Sequence, residues 1–293
     1  MWEQQLVNAI SLGSVYALFA LGFTLVFGVL GVINLSHGGI FMWGAYTSLA
    51  LVTWFSMPLW IAFPAGMLCA GCLGLLIDIL ILKPLRNRQA NHLMPMIATI
   101  GATILMTSLA QGVFGADNQR YPANLFPDLE FQWGETRLTL LQISITVLSL
   151  LLTAVMVWML KRTRMGLALR AIAESRQTSA LLGIPVERLF HMTSFMAAAL
   201  GGAAGILIGL SFNAISPFMG QSMLHKGIAA VILGGLGDVR GAVLGGFFLG
   251  ASEVFAVTFL SSDYRDAFSF GLLFLMLLWR PQGLFGTGKL REG

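Results

Sequence analysis

Side chains able to do chemistry are sparse in this chain, and they sit in unusual surroundings. From Gln4 to Ile77 there is no Lys, Arg, Asp or Glu, and one histidine, His37. His37 belongs to Asn34-Leu35-Ser36-His37-Gly38-Gly39, a polar and glycine-rich run that interrupts apolar sequence. Two acids also fall within apolar stretches: Asp78, five residues before Lys83, and Glu253. An ionisable group in hydrocarbon costs about 3 kcal/mol even on lenient scales, so each needs a partner or a wet path. Asp78 can pair at a helix end. Glu253 is either hydrogen-bonded in a packed core or faces a water-filled path.

Enzymatic arrangements are missing. Ser, His and Asp are scattered over apolar segments without a nucleophile motif, and no HExxH occurs. Gly286-Thr287-Gly288-Lys289 lacks the glycine spacing and the following Ser or Thr of a phosphate loop. Cys69 and Cys72 have redox or metal spacing, but no second pair or nearby His supports it, so two small core residues are expected. No catalytic residue, metal site or cofactor is expected.

The elements that position these residues follow from composition. Of 293 residues, 57% are hydrophobic and 10% charged, against about 25% charged in soluble domains. Mean hydropathy is +0.81. This excludes a soluble domain and a disordered chain. The long continuous apolar runs exclude an outer-membrane barrel, whose strands alternate. What remains is an all-α integral membrane protein, a single transmembrane domain over residues 1–293. Apolar stretches at 5–33, 38–55, 58–82, 92–114, 138–160, 190–210, 224–236, 242–260 and 267–279 predict nine crossings, or eight if the short 224–236 does not span. The start Met1-Trp2-Glu3 lacks the basic segment of a cleavable signal, so none is expected.

Charge orients the spans. The segments 83–91 and 161–189 and the C-terminal tail hold most of the 17 basic residues, whereas loop 115–137 has more acids than bases. The basic side is cytoplasmic. Nine crossings then put the N-terminus outside, the C-terminus inside and 115–137 outside as a cap with some ordered structure. The basic balance reflects membrane topology, and no nucleic-acid partner is implied.

Gly201, Gly205 and Gly209 form a stripe at four-residue spacing, as do Gly241/Gly245 and Gly246/Gly250, which predicts close helix packing. Two stretches break the apolar pattern: 34–39, and 234–241 with the polar connection 211–226 before it. Irregular backbone at membrane depth survives only where protein buries it or water reaches it. The first break is equally a turn or a path lining. The second reads as a cytoplasmic turn. Asn34, Ser36, His37 and Glu253 are the candidate path residues.

Loop 161–189 is the most specific feature. Leu167, Leu169, Ile172, Ala173, Leu181 and Leu182 give apolar faces to short helices bounded by Gly183 and Pro185. Such a segment either lies on anionic lipid or docks a cytoplasmic partner. The pattern Gly166-xxx-Arg170-Ala171…Ala180-xx-Gly183-Ile184 resembles the ATPase-coupling loop of ABC importer permeases of the branched-chain amino-acid (LivH-type) family. The runs Leu12–Leu18 and Gly31–Gly38, Gly234-Gly235-Leu236-Gly237, and Arg280-Pro281-Gln282-Gly283-Leu284-Phe285-Gly286 are similar to the same family, in the same order. One departure is the run Arg176-Gln177-Thr178-Ser179, where family members often carry an acid before the alanine matching Ala180.

The resemblance implies a type II ABC importer-like fold in a bacterial inner membrane, surrounded by lipid. It implies two cytoplasmic ATPase subunits, a second related permease and a periplasmic substrate-binding protein as partners. ATPase coupling would fall to Gly166, Arg170, Ala171, Ala180, Gly183 and Ile184. Gly166 and Gly183 would make sharp turns through positive φ. Branched-chain or other amino acids are the implied substrate, with urea or short amides as the alternative. Two rivals come from other classes: an ion-coupled carrier using Glu253 or Asp78, which would need no docking loop, and a non-transporting scaffold, which would gain nothing from broken helices.

Overall fold

The computed structural model describes residues 2–91, 93–122, 125–127, 129–133, 136–259, 261, 265–280 and 283–285. The chain is a helical bundle, as expected where no water can satisfy backbone groups. Its long helices are α1 (Trp2–Leu30), α3 (Leu59–Ile77), α5 (Leu93–Phe114), α6 (Leu140–Arg162), α9 (Val186–Phe212) and α11 (Val239–Phe259). A π-helical turn, Asp78–Leu82, prolongs α3 into the short α4 (Lys83–Asn87). The wider turn sits where Pro84 would otherwise press its ring on the carbonyl four residues back. Among the described residues, six helices are long and apolar enough to cross a membrane: α1, α3 through α4, α5, α6, α9 and α11. α2 (His37–Trp54), α10 (Met219–Gly234) and α12 (Arg265–Trp279) are shorter. Short α7 (Arg164–Glu174) and α8 (Arg176–Leu181) link α6 to α9. In loop 115–137, strand β1 (Glu130–Trp133) pairs antiparallel with β2 (Thr136–Thr139).

Two expectations need correction. The polar connection 211–226 is helical from Met219 onward, so α10 begins earlier than its apolar residues suggest. Cys69 and Cys72 are exposed on the outside of α3 rather than packed in the core.

The helices repeat in two inverted sets. α1 packs on α11 as α9 packs on α3, and α2 packs on α3 as α10 packs on α11. α10 also packs on α1 as α2 packs on α9. Each set contains a long helix, a six-residue break and a shorter helix. The breaks correspond at several positions, all at one constant offset. Gly31 (φ 69°) and Asn213 (φ 44°) open them in the left-handed region. The side chain of Asn34 accepts from the Ser36 amide at 3.1 Å, and that of Ser216 from the Phe218 amide at 3.2 Å. Gly38 and Gly220 then touch backbone to backbone. α1 meets α11 with Gly13 beside Gly250 and Ala17 beside Gly246, and α10 meets α11 with Gly234 beside Gly241 and Ala230 beside Gly245. Both pairings are antiparallel, so α10 runs with α1, whereas α2 turns back along it.

Glycine makes these crossings possible. A Cβ on Gly44 would collide with the Gly202 backbone, and one on Gly205 with the Phe41 carbonyl. Where helices compete with lipid for contact, such small residues bring backbones together. Each stripe glycine from 201 to 250 meets a neighbouring helix, side chain or loop residue in this way. The residues 283–285 fold back on the α10–α11 turn, with the Leu284 and Phe285 amides donating to the Leu233 and Gly234 carbonyls at 2.9 and 3.0 Å.

Candidate functional site

The break after α1 lies inside the bundle. His37 is 1% exposed and its ring packs against Phe19 and Phe23, with centroids 4.7 and 5.9 Å away, rather than beyond Leu30. Gly22 and Gly201 leave room for the imidazole, since a Cβ on either would approach it to 3.2 or 2.9 Å. Neither ring nitrogen forms a well-shaped hydrogen bond among the described residues. The irregular backbone is satisfied by α5: Thr99 Oγ1 accepts from the Leu35 amide at 3.2 Å, and Thr103 Oγ1 donates to its carbonyl at 3.1 Å. Asn34 Oδ1 also accepts from Ser36 Oγ at 2.5 Å. The second break is satisfied differently. Ile215 bridges to Gln119, and Asn213 Oδ1 accepts from the Tyr121 amide at 2.9 Å.

Glu253 is fully buried and ion-paired. Lys226 Nζ donates to Oε1 at 2.7 Å and Tyr16 Oη donates to Oε2 at 2.6 Å. Lys226 also lies 3.4 Å from Tyr16 Oη. The network joins α10, α11 and α1, which is how the bundle holds two charges at depth without lipid contact. It is continuous with His37, because Gly227 beside Lys226 packs on the Phe19 ring that faces the imidazole.

Asp78 is buried in a second network. Its partners are Arg86, 2.9 Å from Oδ1, and His191, whose Nδ1 lies 2.5 Å from Oδ2, rather than the nearby Lys83. Arg86 also reaches Glu187 at 3.1 Å. Its guanidinium lies 4.5 Å from the centre of the Phe190 ring, and that of Arg176 lies 4.9 Å from the same ring. Arg176 donates to the Leu30 carbonyl at the end of α1. The first residue of α8 is thereby fastened to the helix that leads into the His37 break.

The loop between α6 and α9 is helical, with Thr163 and Ser175 capping α7 and α8. Leu169 and Ile172 are buried, whereas Leu181 and Leu182 are 88% and 76% exposed. Gly183 has φ 80°, as its turn requires. Gly166 differs from expectation. It is helical and is small because a Cβ would strike the Met159 and Leu160 carbonyls, so close approach rather than positive φ selects it. Arg170 is exposed, and its Nε donates within the loop to the Gly166 carbonyl at 3.4 Å. Ala180 is exposed, while Ala171 and Ile184 are half-buried.

A cavity of about 820 Å³ opens among Val52, Pro58, Phe63, Phe126, Ile145 and Leu210. Asn34, Ser36, His37 and Glu253 do not line it; all four are buried in the helix core. Among the described residues no cluster of His, Cys, Asp or Glu could hold a metal. Sequence reasoning missed Lys226, Tyr16, Arg86, His191 and Arg176. An ionisable side chain in an apolar helix was a usable signal only for Lys226, had residues 219–226 been read as helical.

The broken helices, buried ion pairs and lipid-facing helices define a polytopic membrane protein of the transporter class. Residues 5–277 match a family model described as "Branched-chain amino acid transport system / permease component". The chain is 36% identical to the high-affinity branched-chain amino acid transport system permease protein BraD of Pseudomonas aeruginosa, covering 99% of this chain and 97% of that one. Identity to LivH of Escherichia coli K12 is 33% with the same coverages. Identity to LivM of that organism, another permease protein of a high-affinity branched-chain amino acid transport system, is 26% over 95% of this chain and 69% of that one. No solved structure matches. The chain belongs to this permease family and is a transport subunit rather than an enzyme.

Proposed function

We propose that the chain is one of two permease subunits of an ATP-driven importer of branched-chain amino acids. Two cytoplasmic ATPases would energise it and a periplasmic binding protein would deliver the substrate. The family membership supports the substrate class, and the LivM relative supports a second, related permease. Nine crossings form one domain. α2 and α10 count among them because each is apolar over most of its length and the two meet inside the bundle at Gly38 and Gly220. With nine crossings and the basic loop 161–189 in the cytoplasm, the N-terminus would lie outside.

One observation carries the mechanism. Leu181 and Leu182 stand almost fully exposed on a basic loop whose α8 is tied by Arg176 to the end of α1. Exposed leucines there fit a cleft on a partner. A push on α8 reaches Leu30 and the Asn34–His37 break directly, while Gly166 and Gly183 set the loop's shape. Asn34, Ser36, His37 and Glu253 flank the moving segment, closed in this conformation. The ion-coupled alternative finds no support, because Glu253 and Asp78 are each neutralised by a cation.

The test is uptake by the reconstituted complex. Transport of labelled leucine should need ATP and persist when proton and sodium gradients are collapsed at constant ATP. Labelled urea, run in parallel, should not be carried. Gly183→Asp and Arg170→Glu should leave the permease in the membrane, yet recover less ATPase or uncouple hydrolysis from uptake. Wild-type assembly, ATP turnover and uptake in both variants would reduce the loop to a connector.

A further inference from the structure

We propose that the cavity enclosed by the end of α1, α4, the start of α5 and α8 binds a phosphate group, carried by an anionic lipid of the leaflet on the basic side of the membrane. The cavity holds about 290 Å³, and its polar wall consists of Arg86, Arg176 and Gln89. Arg86 uses its two terminal nitrogens on Asp78 and Glu187, but its Nε is buried and makes no hydrogen bond. A buried N–H without an acceptor marks a place where a ligand oxygen gains more than it would in water. Arg176 meets the Leu30 carbonyl and forms no salt bridge among the described residues, although the Glu187 carboxylate held by Arg86 is close enough to act on it. Its pKa is lowered by burial and by the neighbouring Arg86 charge, which together outweigh the opposing Glu187 carboxylate. Two guanidiniums facing one cavity, one of them in no salt bridge among the described residues, suit an oxyanion, which accepts from such forks in pairs.

The remaining wall selects the bearer of the phosphate. Leu82, Leu85 and Pro95 are apolar and would leave a free phosphate poorly solvated. Beside the cavity, α5 presents Leu93, Met94 and Ile97 outward, each more than half exposed. A lipid can enter sideways along that face with its acyl chains against α5 and its headgroup between the arginines. Basic pockets between helices on the cytoplasmic side, where anionic lipid is enriched, are suited to such headgroups. The bound phosphate would bridge α4 to α8 and brace Arg176 in place. This inference needs only a membrane-embedded chain and stands apart from the transport reading.

The experiment titrates the delipidated full-length chain with dioleoyl phosphatidylglycerol, dioleoyl phosphatidylcholine or sodium phosphate, with bound lipid read by native mass spectrometry and stability by thermal melting. Phosphatidylglycerol should bind about tenfold more tightly than phosphatidylcholine and raise the melting temperature, whereas sodium phosphate should do neither. Arg176→Met should reduce phosphatidylglycerol to the phosphatidylcholine level. Ala90→Trp, which fills the cavity and removes no charge, should do the same and decides the matter if Arg176→Met fails to fold. Arg88→Met, at the exposed cap just past α4, should keep the preference. Equal binding of the two lipids by the wild type, or a full preference retained in Ala90→Trp, would overturn the proposal. Stabilisation by sodium phosphate equal to that by phosphatidylglycerol would overturn the lipid and leave a soluble anion site.

Discussion

Glu253 and Asp78 are both fully buried carboxylates, yet the bundle keeps them in different ways. Glu253 sits among three helices with a lysine and a phenol against its oxygens. Asp78 sits at the π-helical turn with a guanidinium and an imidazole, and its arginine extends to the half-exposed Glu187. The first network is closed within the helix core, and the second opens toward the loop and α8. In the core, where desolvation is most severe, charge must be matched locally; near the boundary it can be shared along a chain of groups reaching water. The inner network therefore fixes helix positions, while the outer one connects them to what lies outside the membrane.

The largest effect should come from breaking the closed network on one side. Lys226→Met leaves Glu253 with a charge and no cation, at a cost of about 3–5 kcal/mol. The expected readout is a large fall in melting temperature in detergent, substantially reversed in the Lys226→Met/Glu253→Gln double variant. If Lys226→Met alone melts like the wild type, Glu253 does not depend on the pair.

Asp78→Asn should cost less, about 1–3 kcal/mol, because Arg86 retains Glu187 and the amide oxygen can still accept from a neighbour. Its effect should extend to the loop. Proteolysis between α6 and α9 should accelerate in Asp78→Asn and not in Glu253→Gln, whose network does not reach α8. Equal acceleration in both would erase the distinction between the networks.

Tyr16→Phe should be the mildest, at about 1 kcal/mol, since it removes one hydrogen bond and keeps the ion pair. A loss as large as that of Lys226→Met would mean that the phenol, rather than the ammonium, carries the closed network.

Much of this protein was readable along the chain because the relevant physics is local. Lipid demands continuous apolar helices, so the long spans showed in hydropathy. A helix interruption at depth needs turn-forming and small residues, so 34–39 stood out. A basic amphipathic loop bounded by Gly183 and Pro185 announced short helices there, and four-residue glycine spacing announced the close crossings. The start of α10 did not show, because Met219–Lys226 is polar for a membrane helix and its polarity makes sense only once Lys226 meets Glu253. Nor did the outward exposure of Cys69 and Cys72, since α3 is apolar on all sides and lipid and core select the same side chains. The partners of each charge were beyond sequence reading: Tyr16 with Glu253, Asp78 with His191, Arg176 with Leu30 are joined across distant parts of the chain. The inverted correspondence of the two breaks was hidden too, because it rests on backbone conformation and hydrogen bonding at positions such as Gly31 and Asn213, or Asn34 and Ser216, whose side chains differ. Composition and period determine which segments enter the membrane. Which buried charge faces which is decided only when the helices cross, because burial without a partner is too costly and the partner is chosen by tertiary packing.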